Sequence, residues 1–316
     1  MGQPLSNVRP DPILTNIAME YSSGPEFVVN QLVPLRPVAA RAYKYATWDT
    51  ARILLNQEAE TLRAPGVRAN LARDPQLTWA TGAVKEYALA AAVTDEERGE
   101  AVAGLDLDRV RTENITRKLL MARETYFRDL IQDTGTIASA VPGVKWDAAA
   151  AVVIEANVDA AKEAFLLQCG VEPTHIVIPP AVAKVMKRDS TLRALIKWTN
   201  DSLLVNGDLP PTIWNMRTVI PGAINNTAAP GAAASVARIW TADKVTLLYV
   251  DPAAASDPRA MTAVFGAYCT YDGQALAVER QRDPYESAKS DLITAYLAWD
   301  MKAVVACAYI IDDVLT

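Results

Sequence analysis

Apolar and polar residues alternate along this chain in two rhythms, and the changes of rhythm outline its elements. In VAARAYKYATW (residues 38–48), Tyr43 and Tyr45 fall on one side and Lys44 on the other, the period-two signature of a half-buried strand. A second alternating stretch, QLTWATGAVKEYALAAAVTD (76–95), carries Leu77 and Trp79 early and Tyr87, Leu89, Ala91 and Val93 late. Between them, NQEAETLRAPGVRANLARDP (56–75) is polar and broken by Pro and Gly, and is expected to carry little core. The pattern predicts a projecting strand pair whose arms of ~15 residues, at ~3.3 Å each, reach on the order of 50 Å. An isolated hairpin is marginal in water. A neighbouring subunit is the economical support.

The rhythm shifts to spacings of three, four and seven over 106–133, where Val110, Ile115, Leu119, Leu120, Tyr126, Phe127, Leu130 and Ile131 recur among Arg and Glu. This predicts a helix of about 40 Å, with Asp106 and Asp108 complementing its N-terminal end. The first ~37 residues carry prolines at 4, 10, 12, 25, 34 and 37, which favour extended backbone and interrupt helices. With only short apolar groups (Ile13, Leu14 and Ile17, then Phe27, Val28 and Val29), the segment reads as an arm lying on something. From 146 to 251 the pattern is mixed: a helix over 155–169, a short buried strand in HIVIPP stopped by Pro179 and Pro180, two short helices over 181–198, and a strand in VTLLYV. TVIPGAINNTAAPGAAAS (218–235) turns into a low-complexity loop, and DPAAASDPR (251–259) is another. TAVFGAYCTY (262–271) and ITAYLAWDMKAVVACAYIIDDV (293–314) close the chain as strands.

Composition narrows the function classes. At 316 residues and 51% hydrophobic, the chain can build one large or two smaller cores. A net charge of -6 argues against a protein that grips phosphates. Cys169, Cys269 and Cys307 are too few and too scattered for a disulfide framework, and read as small core residues in a reducing compartment. The apolar run at 303–311 is about half the ~20 residues of a membrane span, so no membrane segment is expected. The N-terminus has no apolar signal region. Met1, Gly2 and Ser6 match a myristoylation pattern short enough to arise by chance, and Pro4 lends it no support.

Candidate chemistry is sparse. The single histidine, His175, stands at the entry of a strand, where a structural role is commoner than catalysis. Without a CxxC pair or further histidines, no zinc site is expected, and no other metal or cofactor. The dinucleotide, kinase and P-loop glycine patterns do not occur. The acid runs at Asp95, Glu96 and Glu97 and at Asp312 and Asp313 read as turn and cap signals or solvated faces. In the excursion, Arg63, Arg68 and Arg73 fall at five-residue spacing with Arg52 upstream. These arginines either pair with carboxylates across an interface or keep a loop soluble.

Several blocks together carry a family likeness. TLRAPGVRAN (61–70), AAAVTDEERGEA, and LDLDRVRTENITRKLLMARETYFRDLI resemble the projecting loop and long spine helix of tailed-phage major capsid proteins with the Hong-Kong-97-like fold. DPILTNIAMEY with VNQLVPLRPV is similar to that family's N-terminal arm, and PTHIVIPPAVAKVMKRDSTLRALIKWT to its axial-domain strand and helices. The resemblance implies an α+β fold with an N-terminal arm at 1–37, an extended β-hairpin loop at 38–93 and a peripheral domain with a spine helix at 94–146. An axial α/β domain would follow at 147–278, with a return to the peripheral domain at 279–316. It further implies pentamers and hexamers tiling an icosahedral phage shell in the virion, assembled in the host cytoplasm, with portal and possibly decoration partners. Packaged DNA would be met only by non-specific proximity, and an acidic wall would repel it. No scaffolding extension of ~100 residues precedes the arm, which implies a separate scaffolding protein or a removed extension. Lys44 and Lys85 lie in strands rather than at a loop tip, so non-covalent locking is expected. On this reading Arg52, Arg63, Pro65, Gly66, Arg68, Arg73 and Trp79 are the assembly contacts. The alternatives are an encapsulin-like nanocompartment shell, or an α/β enzyme with an unrecognised acid-base site.

Overall fold

A computed structural model describes residues 10–22, 27–33, 35–47, 62, 65–68, 78–101, 105–148, 154–197, 209–229, 231–251, 266–271, 276–282, 290–303 and 305–316. Its first elements are helices α1 (Pro12–Ser22) and α2 (Val29–Leu32), strands β1 (Leu35–Val38), β2 (Ala42–Thr47), β3 (Thr78–Ala83) and β4 (Lys85–Thr94), then helices α3 (Asp95–Glu100) and α4 (Leu107–Ile131). The middle holds β5 (Ser139–Ala140), α5 (Ile154–Cys169), β6 (His175–Val177), α6 (Pro180–Met186), α7 (Ser190–Lys197), β7 (Thr212–Ile213), β8 (Met216–Val219), β9 (Ile224–Asn226), β10 (Val236–Arg238) and β11 (Val245–Leu248). The chain ends with β12 (Gly266–Tyr271), β13 (Leu276–Arg282), β14 (Ser290–Ala303), a 3-10 turn (Val305–Cys307) and β15 (Ala308–Ile311).

Two sheets organise these elements. The first is built around β14, whose opening stretch is flanked by β4 and β13 and whose last residues pair with β12, which carries β1 as a parallel edge. The second runs β5-β15-β11-β6-β8-β7. Along β14 the odd positions Asp291, Ile293, Ala295 and Leu297 are buried and the even ones between them are half-buried, the alternation of a strand covered on one face. That face meets α4, which packs on β4 and β14, while α1 packs on α4 and β13.

The long helix predicted over 106–133 runs from Leu107 to Ile131. Its N-cap is Asp106, whose carboxylate accepts from the backbone N–H of Asp108 and Arg109 at 3.1 and 3.2 Å. Ile115, Leu119, Leu120, Phe127 and Ile131 are buried as the spacing requires, whereas Val110 and Tyr126 are exposed. Arg123 and Glu124, which a polarity pattern assigns to solvent, are buried.

Three expectations need correction. The proline-rich opening is not simply extended. Pro12 sits at the first helical position, where its missing N–H costs nothing, and the Asp11 carboxylate caps α1 through Ile13 N and Leu14 N at 2.9 and 3.3 Å. Leu14 and Ala18, four apart, are buried in the main core together with Phe27, Val28, Val29 and Leu32. Next, the second arm of the excursion divides at Val84, whose N–H bonds to Arg41 O at 2.9 Å. Only β3 pairs with β2. The late half, β4, belongs to the first sheet, because pairing with β14 from Lys85 to Thr94 buries Val93 over the core. Finally, the closing stretch is two strands rather than one: β14 ends at Ala303, and the 3-10 turn leads into β15 of the second sheet.

Candidate assembly surface

The two-stranded ribbon of β2 and β3 leaves the first sheet and is fastened to it at one end. Its antiparallel register pairs Tyr43 with Gly82 and Tyr45 with Ala80, so these four share one face and Lys44, Trp79 and Thr81 share the other. The Tyr43 ring lies flat over Gly82: a Cβ added there would sit 2.4 Å from the ring carbon that bears the hydroxyl. Only glycine leaves that space. The Tyr43 hydroxyl donates to Asp300 Oδ2 at 2.8 Å near the end of β14, and Lys302 Nζ reaches the same oxygen at 3.2 Å. Burial, then hydrogen bonds with Cys269 and Asp300, push the Tyr43 phenol well above its ordinary value, so it remains a protonated donor. Around it Val84, Cys269, Ala277 and Ala298 form a small apolar cluster, separate from the main core. Arg41 closes the base by pairing with Glu86 at 2.6 Å.

The face opposite to the tyrosines is open, with Lys44, Trp79 and Thr81 exposed. Trp79 is 67% exposed on the face it shares with Lys44, opposite to the tyrosines. Pro65, Gly66, Val67 and Arg68 form an exposed turn in which Gly66 takes φ +82, a left-handed backbone that glycine adopts without strain. Arg52, Arg63 and Arg73 lie outside the described residues. The spacing placed Tyr43 and Tyr45 opposite Lys44, as the register does, and did not reveal the fastening at Tyr43, Gly82 and Asp300. Its one sequence signal was a glycine inside an alternating strand, which marks a close approach.

Two charged groups lie elsewhere in the fold. At the start of β14, Asp291 accepts from Arg98 at 2.7 Å, from Arg280 at 2.6 Å and from Arg282 at 3.1 Å. Asp95 and Asp108 complete the set through Arg282 and Arg98, joining α3, α4, β13 and β14. Burial alone would raise the Asp291 carboxyl, but the three guanidinium groups outweigh it and hold the group well below the carboxylate range. In the core of α4, Glu124 accepts from Trp240 Nε1 at 2.9 Å and from Val28 N at 3.3 Å. Here burial wins over those hydrogen bonds and the carboxyl is pushed up.

The residues weighed as chemistry have structural partners. Burial, then Arg217, pushes His175 down. The Thr174 hydroxyl, 2.9 Å from its Nδ1, also holds both backbone polar groups of Val250. Glu97 closes a capping box with Thr94 at the start of α3. Asp312 and Asp313 pair with Lys244 and Lys145. Among the described residues no helix is long and apolar enough to cross a membrane, and no group of three His, Cys, Asp or Glu is placed to hold a metal.

Neither a family model nor a curated protein matches the sequence. Solved structures do match. A phage-related protein from Bordetella bronchiseptica aligns at 21% identity with TM-score 0.68, over 97% of this chain and 98% of that one. A capsid subunit of the cyanophage P-SCSP1u aligns at 10% identity with TM-score 0.62, over 100% and 92%. The encapsulin of Synechococcus elongatus aligns at 10% identity with TM-score 0.50, over 99% and 92%. The architecture is therefore an α+β capsid fold. More particularly, it is the fold of tailed-phage major capsid proteins, in agreement with the resemblance carried by the sequence.

Proposed function

We propose that this chain is the major capsid protein of a tailed phage, a structural subunit whose copies associate as pentamers and hexamers into an icosahedral shell around packaged DNA. The observation that carries the reading is full-length overlap, in both directions, with a cyanophage capsid subunit. The ribbon adds a physical reason for self-association. It is fixed at its base and exposes Trp79, the residue type most enriched among interface anchors. On this reading the ribbon of β2 and β3 with the segment between them crosses a subunit boundary, Arg52, Arg63, Arg68 and Arg73 meet a neighbour's carboxylates, and Pro65 and Gly66 shape the turn that presents them. Scaffolding, portal and decoration proteins are the expected partners, with assembly in the host cytoplasm.

Electron microscopy of the purified protein tests this directly: shells, rings or tubes are expected, and a monodisperse monomer under every assembly condition overturns it. An encapsulin-like compartment is the second reading, supported by the Synechococcus overlap but with the lower TM-score. Shells that enclose a protein cargo bound by its terminal peptide would favour it over the phage reading.

A further inference from the structure

The chain crosses between its two sheets once near the C-terminus, and a pair of thiols sits at that crossing. Cys307 is the last residue of the 3-10 turn between β14 and β15, and Cys169 is the last residue of α5. The two are 138 positions apart, yet their sulfurs lie 2.8 Å from one another, and both residues are buried. An S–S bond of ~2.05 Å needs only a further approach of about 0.7 Å. The third cysteine, Cys269, belongs to the separate cluster under the ribbon. The surroundings hold the pair in place: Tyr249 N bonds to Cys307 O at 3.3 Å, Gly170 N to Leu166 O at 2.8 Å, and Gln168 Nε2 to Val305 O at 3.4 Å.

We infer that Cys169 and Cys307 are a modification site: they form an intramolecular disulfide that pins the end of α5 to the crossing between the two sheets. The oxidant is a low-molecular-weight disulfide of the glutathione class. One thiol of the pair, as thiolate, attacks one of its sulfurs, breaking that S–S bond and releasing one thiolate. The other thiol, losing its proton, then attacks the protein sulfur of the mixed disulfide and releases the second. Two protein S–H bonds are lost and one S–S bond forms, while the reagent's disulfide is reduced to two thiols. The two sulfurs are within hydrogen-bond distance and either can donate to the other, so whichever thiol loses its proton first has its resolving partner beside it. Closing so long a loop restricts the unfolded chain more than a short one would. The staple would be open in a reducing cell and shut outside it. It does not depend on the assembly reading.

The test uses the full chain, equilibrated with oxidised glutathione, then denatured and alkylated. Mass spectrometry is expected to find one alkylated cysteine, Cys269, and a linked pair of peptides containing Cys169 and Cys307. With dithiothreitol in place of glutathione, three alkylated cysteines are expected. The melting temperature should be higher in the oxidised sample by on the order of 5–10 °C, a shift lost in Cys307→Ser and retained in Cys269→Ala. Three alkylations after oxidation, or a bond through Cys269 or between chains in place of this pair, overturn the inference. Because the mass readout is made on the unmutated chain, poor folding of Cys307→Ser does not obscure it.

Discussion

The long helix α4 and the ribbon β2–β3 bury apolar surface in opposite ways. Helix α4 is enclosed by its own chain, by β4 and β14 on one side and by α1 on another, and that enclosure is complete enough to hold a charged residue, Glu124, with two donors. The ribbon is fastened at its base, through Tyr43 on Asp300 and Arg41 on Glu86, and shows a tryptophan to solvent on the face opposite to the tyrosines. One region is finished by folding. The other, on the proposed function, is covered by a neighbour.

That contrast is open to attack at several points. Deleting 56–75 should abolish shells in electron microscopy while the thermal unfolding transition survives, since that stretch is polar, broken by Pro and Gly, and carries little apolar sequence. If folding fails instead, the loop belongs to the core. Glu124→Ala should do the reverse, leaving the Trp240 and Val28 donors buried without an acceptor and costing about 2–4 kcal/mol in denaturant unfolding. Trp79→Ala should leave unfolding within about 0.5 kcal/mol of the parent and raise the protein concentration needed for assembly about tenfold or more, read by light scattering. Gly82→Ala should cost about 1–2 kcal/mol by driving the Tyr43 ring off Asp300. In a double-mutant cycle, most of that cost should vanish in a Tyr43→Ala background.

The smallest effects should appear in pH. Asp291 has a depressed folded value, so its contribution is present above the ordinary aspartate value of about 4 and fades as pH falls through the folded value. Glu124 has a raised folded value, so its contribution is greatest below about 4 and declines as pH rises through the folded value. Asp291→Asn should flatten the acid limb of the stability profile, and Glu124→Gln the limb above it, each measured by denaturant unfolding across pH.

The alternations and spacings made much of the frame legible. Tyr43 and Tyr45 against Lys44, the buried stripe of α4 and the short strand at His175 all follow from side-chain period. What stayed hidden was context. Pro12 reads as a helix breaker until it is seen to occupy the first turn behind the Asp11 cap. The run from Thr78 to Thr94 keeps one rhythm although Val84 divides it between two partners, because alternation says nothing about which strand is next door. Charged Glu124 looks solvated until Trp240, from far along the chain, supplies its donor. At the candidate surface, Trp79 and the Pro65–Gly66 turn were visible as types. The anchor was not, since it joins three residues from three distant strands.

Strand β14 links both ends of this picture. Asp291 near its start is gripped by three arginines and Asp300 near its finish receives the ribbon's tyrosine, so one continuous strand connects the two. Tension applied to the ribbon would run along that strand rather than across it, loading its hydrogen bonds with β4 and β13 in shear, many at once, instead of opening them in sequence. Its geometry is that of a tie-rod, with the strength of its grip set by the overlap of neighbouring strands.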